Sequence, residues 1–359
     1  MNARLGYVAG LDGLRAIAVS LVMVSHAHAP FLHTGSLGVD VFFVLSGFLI
    51  TRILLNGAAE SGRIDVKTFY VHRFMRLTPP LFLLLFIYLL IAPFAWPNYA
   101  SHGRDAAMAG LYLSDYSLAI GEFPKMLRHT WSLAVEEHFY LLWPFVLIVL
   151  RPHKTRTILG VMAAIYVLAT LWRVYCAATQ SWEAVYYRFD TRFSGLMLGA
   201  FVAVLMDVDW KRYFRPGVLA LSALSGLFVL LLILSDSTGW GHTPTLQYGV
   251  IGTEVVTAIV ILAVMKGERF VRWLSFAPLT YFGRLSYGMY LFHYPVMLYF
   301  RDLTGWVDAL VYGSISAILL SALSYHTIEA WVRRWRAKRK HTVPPQVVPG
   351  LSERLSSAG

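Results

Sequence analysis

The sequence predicts an all-α membrane protein, built as a bundle of about ten transmembrane helices. Hydrophobic residues make up 57% of the 359 residues and charged residues only 14%, whereas a soluble domain carries roughly 25% charged residues. Apolar stretches recur along the chain, and each approaches the roughly 20 residues that a helix needs to cross a bilayer. We therefore expect one membrane domain over residues 6–335, followed by a basic, proline- and serine-containing tail at 336–359 that we expect to be disordered.

Ten segments are long and apolar enough to be read as spans, although two of them are unusual. The sixth begins with charged side chains, and the ninth contains Arg284, His293 and Pro295, so neither is a plain lipid-facing helix. Segment 101–120 is too short and polar to span, and we expect it to lie at an interface or to fold back. The predicted spans are 11–29, 38–56, 79–97, 131–150, 157–178, 189–206, 216–235, 247–265, 281–300 and 308–331.

The distribution of Lys and Arg predicts the orientation, because these residues are in excess in cytoplasmic loops. With the N-terminus in the cytoplasm, 23 of the 31 Lys and Arg residues fall on the cytoplasmic side and six on the far side. This bias predicts that both termini are cytoplasmic. Since the cations follow the loops of a membrane protein, the net charge of +11 does not indicate nucleic-acid binding.

Two ionisable side chains interrupt the first span. Arg15 and His26 would lie about 16 Å apart along a helix, with His26 towards the far side. Asp40 enters the second span from that same side, so it can meet His26 at one depth. A carboxylate on one ring nitrogen would fix the tautomer and leave the other nitrogen as a base. Alternatively, a buried His–Asp pair only holds the two helices together.

The third and fourth spans add further polar groups. Arg73 and Arg76 are three residues apart, so both guanidinium groups share one helix face. They can bind phosphate groups bidentately or act as ordinary cytoplasmic anchors. Glu136 would lie about 7 Å down the fourth span from Trp131, where a charge must be paired or protonated.

The later spans also bury ionisable residues. Pro295 should kink the ninth span and leave backbone carbonyls that polar groups can reach, close to His293. Glu254 and Arg173 either pair with each other or serve the function. The spacing of His26, His28 and His33 is a weak zinc pattern, and we expect no metal site.

Several blocks taken together resemble the acyltransferase family 3 of integral-membrane O-acyltransferases. Arg15 with His26 is similar to the family's first-span hallmark, and the pair Arg73 and Arg76 is similar to its paired-arginine motif. The likeness covers about residues 6–335, and the blocks are specific together although each is weak alone. The other similar blocks are residues 37–50, 131–140, 286–295 and 325–329.

The resemblance implies transfer of an acyl group, by family default acetyl, from cytoplasmic acyl-coenzyme A to a hydroxyl of a carbohydrate or glycoconjugate. No metal is implied. Arg15, Arg73 and Arg76 are then expected to bind the coenzyme, with its thioester near His26. The expected catalytic residues are His26, Asp40 and Glu136, and the expected substrate-binding residues are Trp131, Ser132, Tyr290 and His293.

Two mechanisms are compatible with this expectation. In the first, which we favour, His26 is a general base that Asp40 orients and that deprotonates the acceptor hydroxyl. In the second, His26 takes the acyl group itself and then passes it on. Glu136 would bind the acceptor or assist proton transfer, and His293 would do either.

The chain departs from the family pattern in two respects. Thr191, Arg192 and Phe193 are followed by Ser194, whereas the family often has an aspartate after the Thr-Arg pair. Some members carry a fused extracytoplasmic hydrolase-like domain, and we expect this chain to be the stand-alone form in a bacterial plasma membrane. Acetyl, succinyl and propionyl donors and several classes of glycan acceptor all fit the sequence.

Two other function classes compete with the enzyme. A transporter or flippase for a lipid-linked sugar would use His26, Glu136 and His293 as a proton relay, and it would not depend on a thioester. A structural membrane subunit would use the same polar residues only to hold helices together. Replacement of His26 would then damage folding rather than turnover.

Overall fold

Long helices dominate the structure, a computed structural model that describes residues 6–32, 34–209 and 243–332 together with residues 211, 217, 219, 222, 225, 226 and 334. This described part contains no β-strand. The longer helices are α1 (Ala9–His26), α2 (Gly38–Ser61), α3 (Val66–Ala95), α4 (Trp131–Leu150), α5 (Thr155–Thr179), α6 (Ser194–Leu205), α7 (Val250–Lys266), α8 (Ala277–Thr304) and α9 (Trp306–Ser324).

Short helical segments connect or extend these helices. Helices His102–Gly110 and Ser114–Ala119 separate α3 from α4, and both are too short to cross a membrane, as residues 101–120 predicted. Helices Trp182–Tyr186 and Phe189–Arg192 precede α6. The remaining segments are the 3₁₀ turns Gly35–Leu37, Arg128–Thr130 and Arg269–Ser275 and the π turns Thr245–Gly249 and Tyr325–Glu329.

Seven helical segments within the described ranges are long and apolar enough to cross a membrane. The protein is therefore a multi-pass membrane protein, as predicted. Helix α8 has 28 residues, but its polar and charged residues make it less apolar than the other long helices. The seven segments are Ala9–His26, Gly35–Ser61, Val66–Ala95, Arg128–Leu150, Thr155–Thr179, Thr245–Lys266 and Trp306–Val332.

The predicted sixth span, 189–206, is not one continuous helix. It is divided at Phe193, and the apolar part, α6, has only 12 residues. Such a helix is about 18 Å long, which is shorter than the roughly 30 Å hydrocarbon core. Most of the predicted seventh span, 216–235, and all of the predicted tail, 336–359, lie outside the described residues.

Helices α2 and α6 pack with their backbones in close contact. A Cβ atom on Gly47 would lie 1.8 Å from the carbonyl oxygen of Leu196, and one on Gly199 would lie 1.9 Å from that of Val44. Only glycine fits at these two positions, because the approach leaves no room for a side chain. Helix α1 packs against both α2 and α8, and α8 packs against α9. The side chains of Asp40 on α2 and His293 on α8 are buried in this packing.

Candidate active site

One cavity brings three arginines together. Arg15 of α1 lines it with Arg73 and Arg76 of α3, so both members of the predicted arginine pair face the same space. We call it the arginine cavity, and its volume is about 260 Å³. Its other polar lining residues are Asp12, Ser46, Ser132, Glu136, Tyr140, Ser286, Tyr287 and Tyr290.

Glu136 belongs to this arginine cavity. The Ser46 hydroxyl donates to its Oε1 atom at 2.5 Å, and the Tyr140 hydroxyl donates to its Oε2 atom at 2.9 Å. The guanidinium of Arg73 lies 4.4 Å from the centre of the Tyr140 ring, a cation–π distance. Glu136 therefore lies among the arginines expected to bind the donor. Its expected part in acceptor binding or proton transfer stays a prediction.

A second cavity contains His26. We call it the histidine cavity, and its volume of about 450 Å³ is within the usual range for a small-molecule site. His26 is the last residue of α1, whereas Arg15 lies eleven residues earlier on the same helix, so the two cavities contact α1 at different depths. The lining residues are Ser25, His26, His28, Ala29, Leu32, Arg128, His129, Trp131, Tyr187, Tyr294 and Arg301.

A second histidine binds His26. The Nδ1 atom of His26 lies 2.8 Å from Nε2 of His293, and the Nδ1 atom of His293 lies 3.0 Å from the carbonyl oxygen of Met289. A carbonyl only accepts, so Nδ1 of a neutral His293 carries the proton and its Nε2 is an acceptor. His26 must then donate from Nδ1. Its Nε2 atom is left with a lone pair, which is the form that a general base needs.

The expected pairing of Asp40 with His26 is wrong. Both carboxylate oxygens of Asp40 accept from Nη2 of Arg192, at 2.9 and 3.0 Å. Asp40 is 1% exposed and Arg192 is 0% exposed, and a buried guanidinium needs a counter-charge more than a neutral imidazole does. Arg192 also lies 5.4 Å from the ring of Trp131. Asp40 thus supports the wall of the histidine cavity through Arg192.

Arg173 and Glu254 form another buried ion pair. Their mutual pairing was one of the two alternatives that the sequence left open. Nη1 of Arg173 lies 3.1 Å from Oε1 of Glu254, and both side chains are fully buried. Oε1 of Glu254 also accepts from the Ser194 hydroxyl at 2.6 Å. The Ser194 hydroxyl therefore belongs to this buried network.

Pro295 explains the position of His129, a residue that belongs to none of the sequence blocks described above. In a regular helix the N–H of residue 295 would bond to the carbonyl of Leu291, but proline has no N–H. The Nε2 atom of His129 lies 3.1 Å from that oxygen and donates to it. The predicted free carbonyl is therefore present. The one sequence signal for this donor is that His129 directly precedes the block that begins with Thr130 and Trp131.

A hydrogen-bonded layer divides the two cavities. The Tyr290 hydroxyl lies 2.6 Å from the Ser132 hydroxyl and donates to the carbonyl oxygen of His129 at 2.8 Å. Ser132 and Tyr290 line the arginine cavity, whereas His129 and Trp131 line the histidine cavity. Of the predicted substrate-binding residues, Trp131 thus lines the histidine cavity, and Ser132 and Tyr290 line the arginine cavity. The fourth, His293, is not among the lining residues of either cavity and contacts His26 instead.

The weak zinc pattern brings no metal ligands together in the described part of the chain. His28 contacts Arg301, with 3.0 Å between Nε2 and Nη1, and His33 lies outside the described residues. No group of three or more His, Cys, Asp or Glu side chains that could hold a metal ion occurs in residues 6–32, 34–209 or 243–332.

Comparison with known proteins identifies the family. A family model described as an acyltransferase domain matches residues 8–326. An O-acetyltransferase OatA of Staphylococcus aureus is 33% identical over 349 residues, which cover 91% of this chain and 57% of the relative. The peptidoglycan O-acetyltransferase OatA of Listeria monocytogenes is 29% identical, with 91% of this chain and 56% of the relative covered.

A putative peptidoglycan O-acetyltransferase, YrhL of Bacillus subtilis, is 32% identical over 348 residues, which cover 91% of this chain and 55% of the relative. The chain thus spans little more than half the length of the curated relatives it matches. No solved structure matches it. Because the family model covers nearly all of the helical bundle, including both cavities, the chain belongs to the acyltransferase 3 family.

Proposed function

We propose that this protein transfers an acetyl group from acetyl-coenzyme A in the cytoplasm to a carbohydrate hydroxyl on the far side of the membrane. The family supports acyl transfer, and relatives named peptidoglycan O-acetyltransferases support a glycan acceptor of the cell wall. The proposal includes cytoplasmic termini in a bacterial plasma membrane, which the excess of Lys and Arg in the assigned cytoplasmic loops supports.

The arginine cavity is the proposed donor site. Its three guanidinium groups suit the phosphates of a coenzyme, because each can form parallel hydrogen bonds to two phosphate oxygens. Arg15 and Arg76 are the primary candidates, since Arg73 also packs on Tyr140. The thioester would then approach the layer formed by Ser132, Tyr290 and His129 from the donor side.

His26 is the proposed general base. Its Nε2 atom takes the proton of the acceptor hydroxyl as that oxygen forms a bond to the acyl carbon. The carbon–sulfur bond then breaks, the coenzyme leaves as a thiolate, and the proton on Nε2 of His26 passes to that thiolate, which restores the neutral imidazole. His293 is a positioning residue in this step, because it holds the Nδ1 proton of His26 and leaves Nε2 available.

One observation carries the proposal. In a chain of the acyltransferase 3 family, a histidine with a defined tautomer faces one cavity and three arginines face another, and a thin hydrogen-bonded layer separates them. If the donor and the acceptor are on opposite sides of a membrane, each needs its own site. The reactive group then has to lie near the boundary between the two sites. For transfer, the thioester has to pass the Ser132–Tyr290 contact.

The test uses the full chain, purified and reconstituted in liposomes with radiolabelled acetyl-coenzyme A and a peptidoglycan-derived oligosaccharide. Label should appear on the oligosaccharide and free coenzyme should be released. His26→Ala should abolish both, while the matched control His153→Ala, at an exposed position, should leave them unchanged. Export of sugar without thioester consumption would support a transporter. Loss of folding in His26→Ala, with no turnover by the wild type, would support a structural subunit.

The two routes through His26 give different intermediates. Direct attack by the hydroxyl leaves no covalent bond between the acyl group and the protein. We therefore expect no labelled protein when the reaction is stopped with mild base, and no burst of coenzyme release without acceptor. Label that is retained on wild-type protein but absent from His26→Ala would instead establish an acyl-histidine.

A further inference from the structure

The histidine cavity contains an excess of positive charge that the proposed reaction does not use. Arg128 and Arg301 both line it, together with His28, and its lining contains no aspartate or glutamate. Since transfer to a sugar hydroxyl needs only a base beside a neutral acceptor, these two guanidinium groups call for a separate explanation.

Arg301 is anchored so that part of its guanidinium stays available. Its Nη1 atom lies 3.0 Å from Nε2 of His28, and its Nε atom lies 3.2 Å from the carboxylate of Asp302. The Asp302 side chain is 56% exposed, whereas that of Arg301 is 20% exposed. This pair is therefore screened by solvent and worth little. Among the described residues, no side chain or carbonyl binds Nη2 of Arg301.

Arg128 also lines the histidine cavity. It is exposed, and its cation acts on the hydroxyl of Tyr187, another lining residue. Burial raises the pKa of Tyr187 to about 12, and the charge of Arg128 acts in the opposite direction. Arg128 precedes His129 in the chain, so the backbone segment that positions it is held by the bond from His129 to Leu291.

The excess of Lys and Arg in cytoplasmic loops does not explain Arg128 and Arg301, which are predicted to lie on the far side. Cations on the cytoplasmic side serve as anchors, but the predicted far side has only six Lys and Arg residues. Arg192 pairs with Asp40 and Arg188 with Asp190, while Arg104 lies 4.0 Å from the centre of the Phe123 ring. Two of the remaining three, Arg128 and Arg301, line the cavity that contains His26.

We infer that the acceptor carries an anionic group, a carboxylate or a phosphate, that Arg128 and Arg301 bind while its hydroxyl faces His26. This inference rests on the proposed function and specifies the chemical class of its acceptor. A carboxylate could belong to an acidic sugar, and a phosphate to a lipid-linked sugar. Both offer the oxygen pairs that guanidinium groups bind in parallel.

The test compares soluble sugar probes that carry an anionic group with related neutral sugars. Binding to the reconstituted full chain is followed by tryptophan fluorescence, because Trp131 lines the cavity. The carboxylate arm uses N-acetylmuramic acid, its methyl ester and N-acetylglucosamine. The phosphate arm uses N-acetylglucosamine 1-phosphate against N-acetylglucosamine. The charged member of at least one arm should bind about tenfold to a hundredfold more tightly than its neutral partner, and the arm that responds identifies the source of the anion.

Variants link that preference to the two arginines. Arg301→Gln and Arg128→Gln should each remove most of the preference for the charged probe, and Arg301→Lys should keep part of it. Arg104→Gln, a far-side arginine outside the cavity, should leave it unchanged. A wild-type protein that binds neither charged probe more tightly than its neutral partner, including one that binds none of them, overturns the inference. So does a preference that survives both substitutions.

The outcomes for the inference and for the proposed function are separate. Consumption of acetyl-coenzyme A with transfer to an acceptor tests the function and needs no preference for charge. An active enzyme that treats charged and neutral sugars equally would retain the function and overturn only the anionic acceptor. An inactive protein that still prefers the anionic probe would retain the binding site and overturn the transfer.

Discussion

His26 and His293 are joined by a hydrogen bond of 2.8 Å between Nδ1 and Nε2, which connects the end of α1 to the middle of α8. Their rings are nearly parallel, at 13°, with centres 5.1 Å apart. Because Met289 binds the other nitrogen of His293, the direction of the whole chain of bonds is defined. The consequence is an imidazole in the histidine cavity whose outward nitrogen is an acceptor.

Replacement of His293 should therefore slow turnover more than it weakens donor binding. We expect His293→Ala to lower kcat by about a hundredfold or more, because His26 loses the partner that selects its tautomer. The KM for acetyl-coenzyme A should stay within about twofold, since His293 does not line the arginine cavity. His293→Gln, whose amide oxygen can accept from Nδ1, should recover part of the rate. Equal kcat in all three proteins would exclude this role.

Removal of a guanidinium group from the arginine cavity should instead weaken donor binding more than it slows turnover. Arg76→Gln is expected to raise the KM for acetyl-coenzyme A by about tenfold or more, the typical contribution of a charge-assisted hydrogen bond. Arg15→Gln should behave similarly. Arg63→Gln is the matched control, since Arg63 is exposed outside the cavity. Steady-state kinetics in liposomes measures the effect, and an unchanged KM in both cavity variants would show that the donor binds elsewhere.

The ion pair between Asp40 and Arg192 should contribute to the stability of the folded protein. Asp40→Asn leaves a buried guanidinium without its counter-charge, which typically costs about 3–5 kcal/mol. We expect a thermal unfolding midpoint several degrees lower in detergent. Asp190→Asn removes the partly exposed partner of Arg188 and should cost less than about 1 kcal/mol. Asp40→Asn protein with unchanged stability but lost turnover would instead indicate the direct role for Asp40 that the sequence suggested.

Two glycines of α2 should respond in opposite ways to the same substitution. Gly47→Ala places a methyl group 1.8 Å from the Leu196 carbonyl oxygen, so it should separate α2 from α6 and destabilise the protein by about 3 kcal/mol or more. Gly57→Ala has no atom within 4 Å of the new Cβ. It should be neutral or stabilise by up to about 1 kcal/mol. Similar unfolding midpoints for the two variants would contradict the close helix contact.

The bond from His129 to Leu291 should depend on Pro295. His129→Phe leaves the Leu291 carbonyl buried without a donor, at a cost of about 1–3 kcal/mol. In a Pro295→Ala background the new backbone N–H can bond to that carbonyl, so the same substitution should cost less. A double-mutant cycle on the free energy of unfolding measures this coupling. Additive effects would show that the proline does not free the carbonyl for His129.

Much of the site could be predicted residue by residue. Arg73 and Arg76 share a cavity because a spacing of three residues determines a common helix face, whatever the neighbours are. Pro295 frees the Leu291 carbonyl by local backbone chemistry. In contrast, His129 had no local signature, because its importance comes from an oxygen on α8 that lies 162 residues further along the chain.

The sequence by itself determined the membrane character, the limits of most long helices and the set of ionisable residues inside the bundle, because hydropathy and helical spacing are local properties. Only the tertiary structure decided which of those residues pair. Asp40 and His26 can share a depth, yet Asp40 binds Arg192, 152 residues away, and His26 binds His293. The rotation and the neighbours of each helix come from close packing between helices. In a low-dielectric interior a buried charge such as that of Asp40 is stabilised most by the nearest opposite charge, and only the packing decides which charge that is.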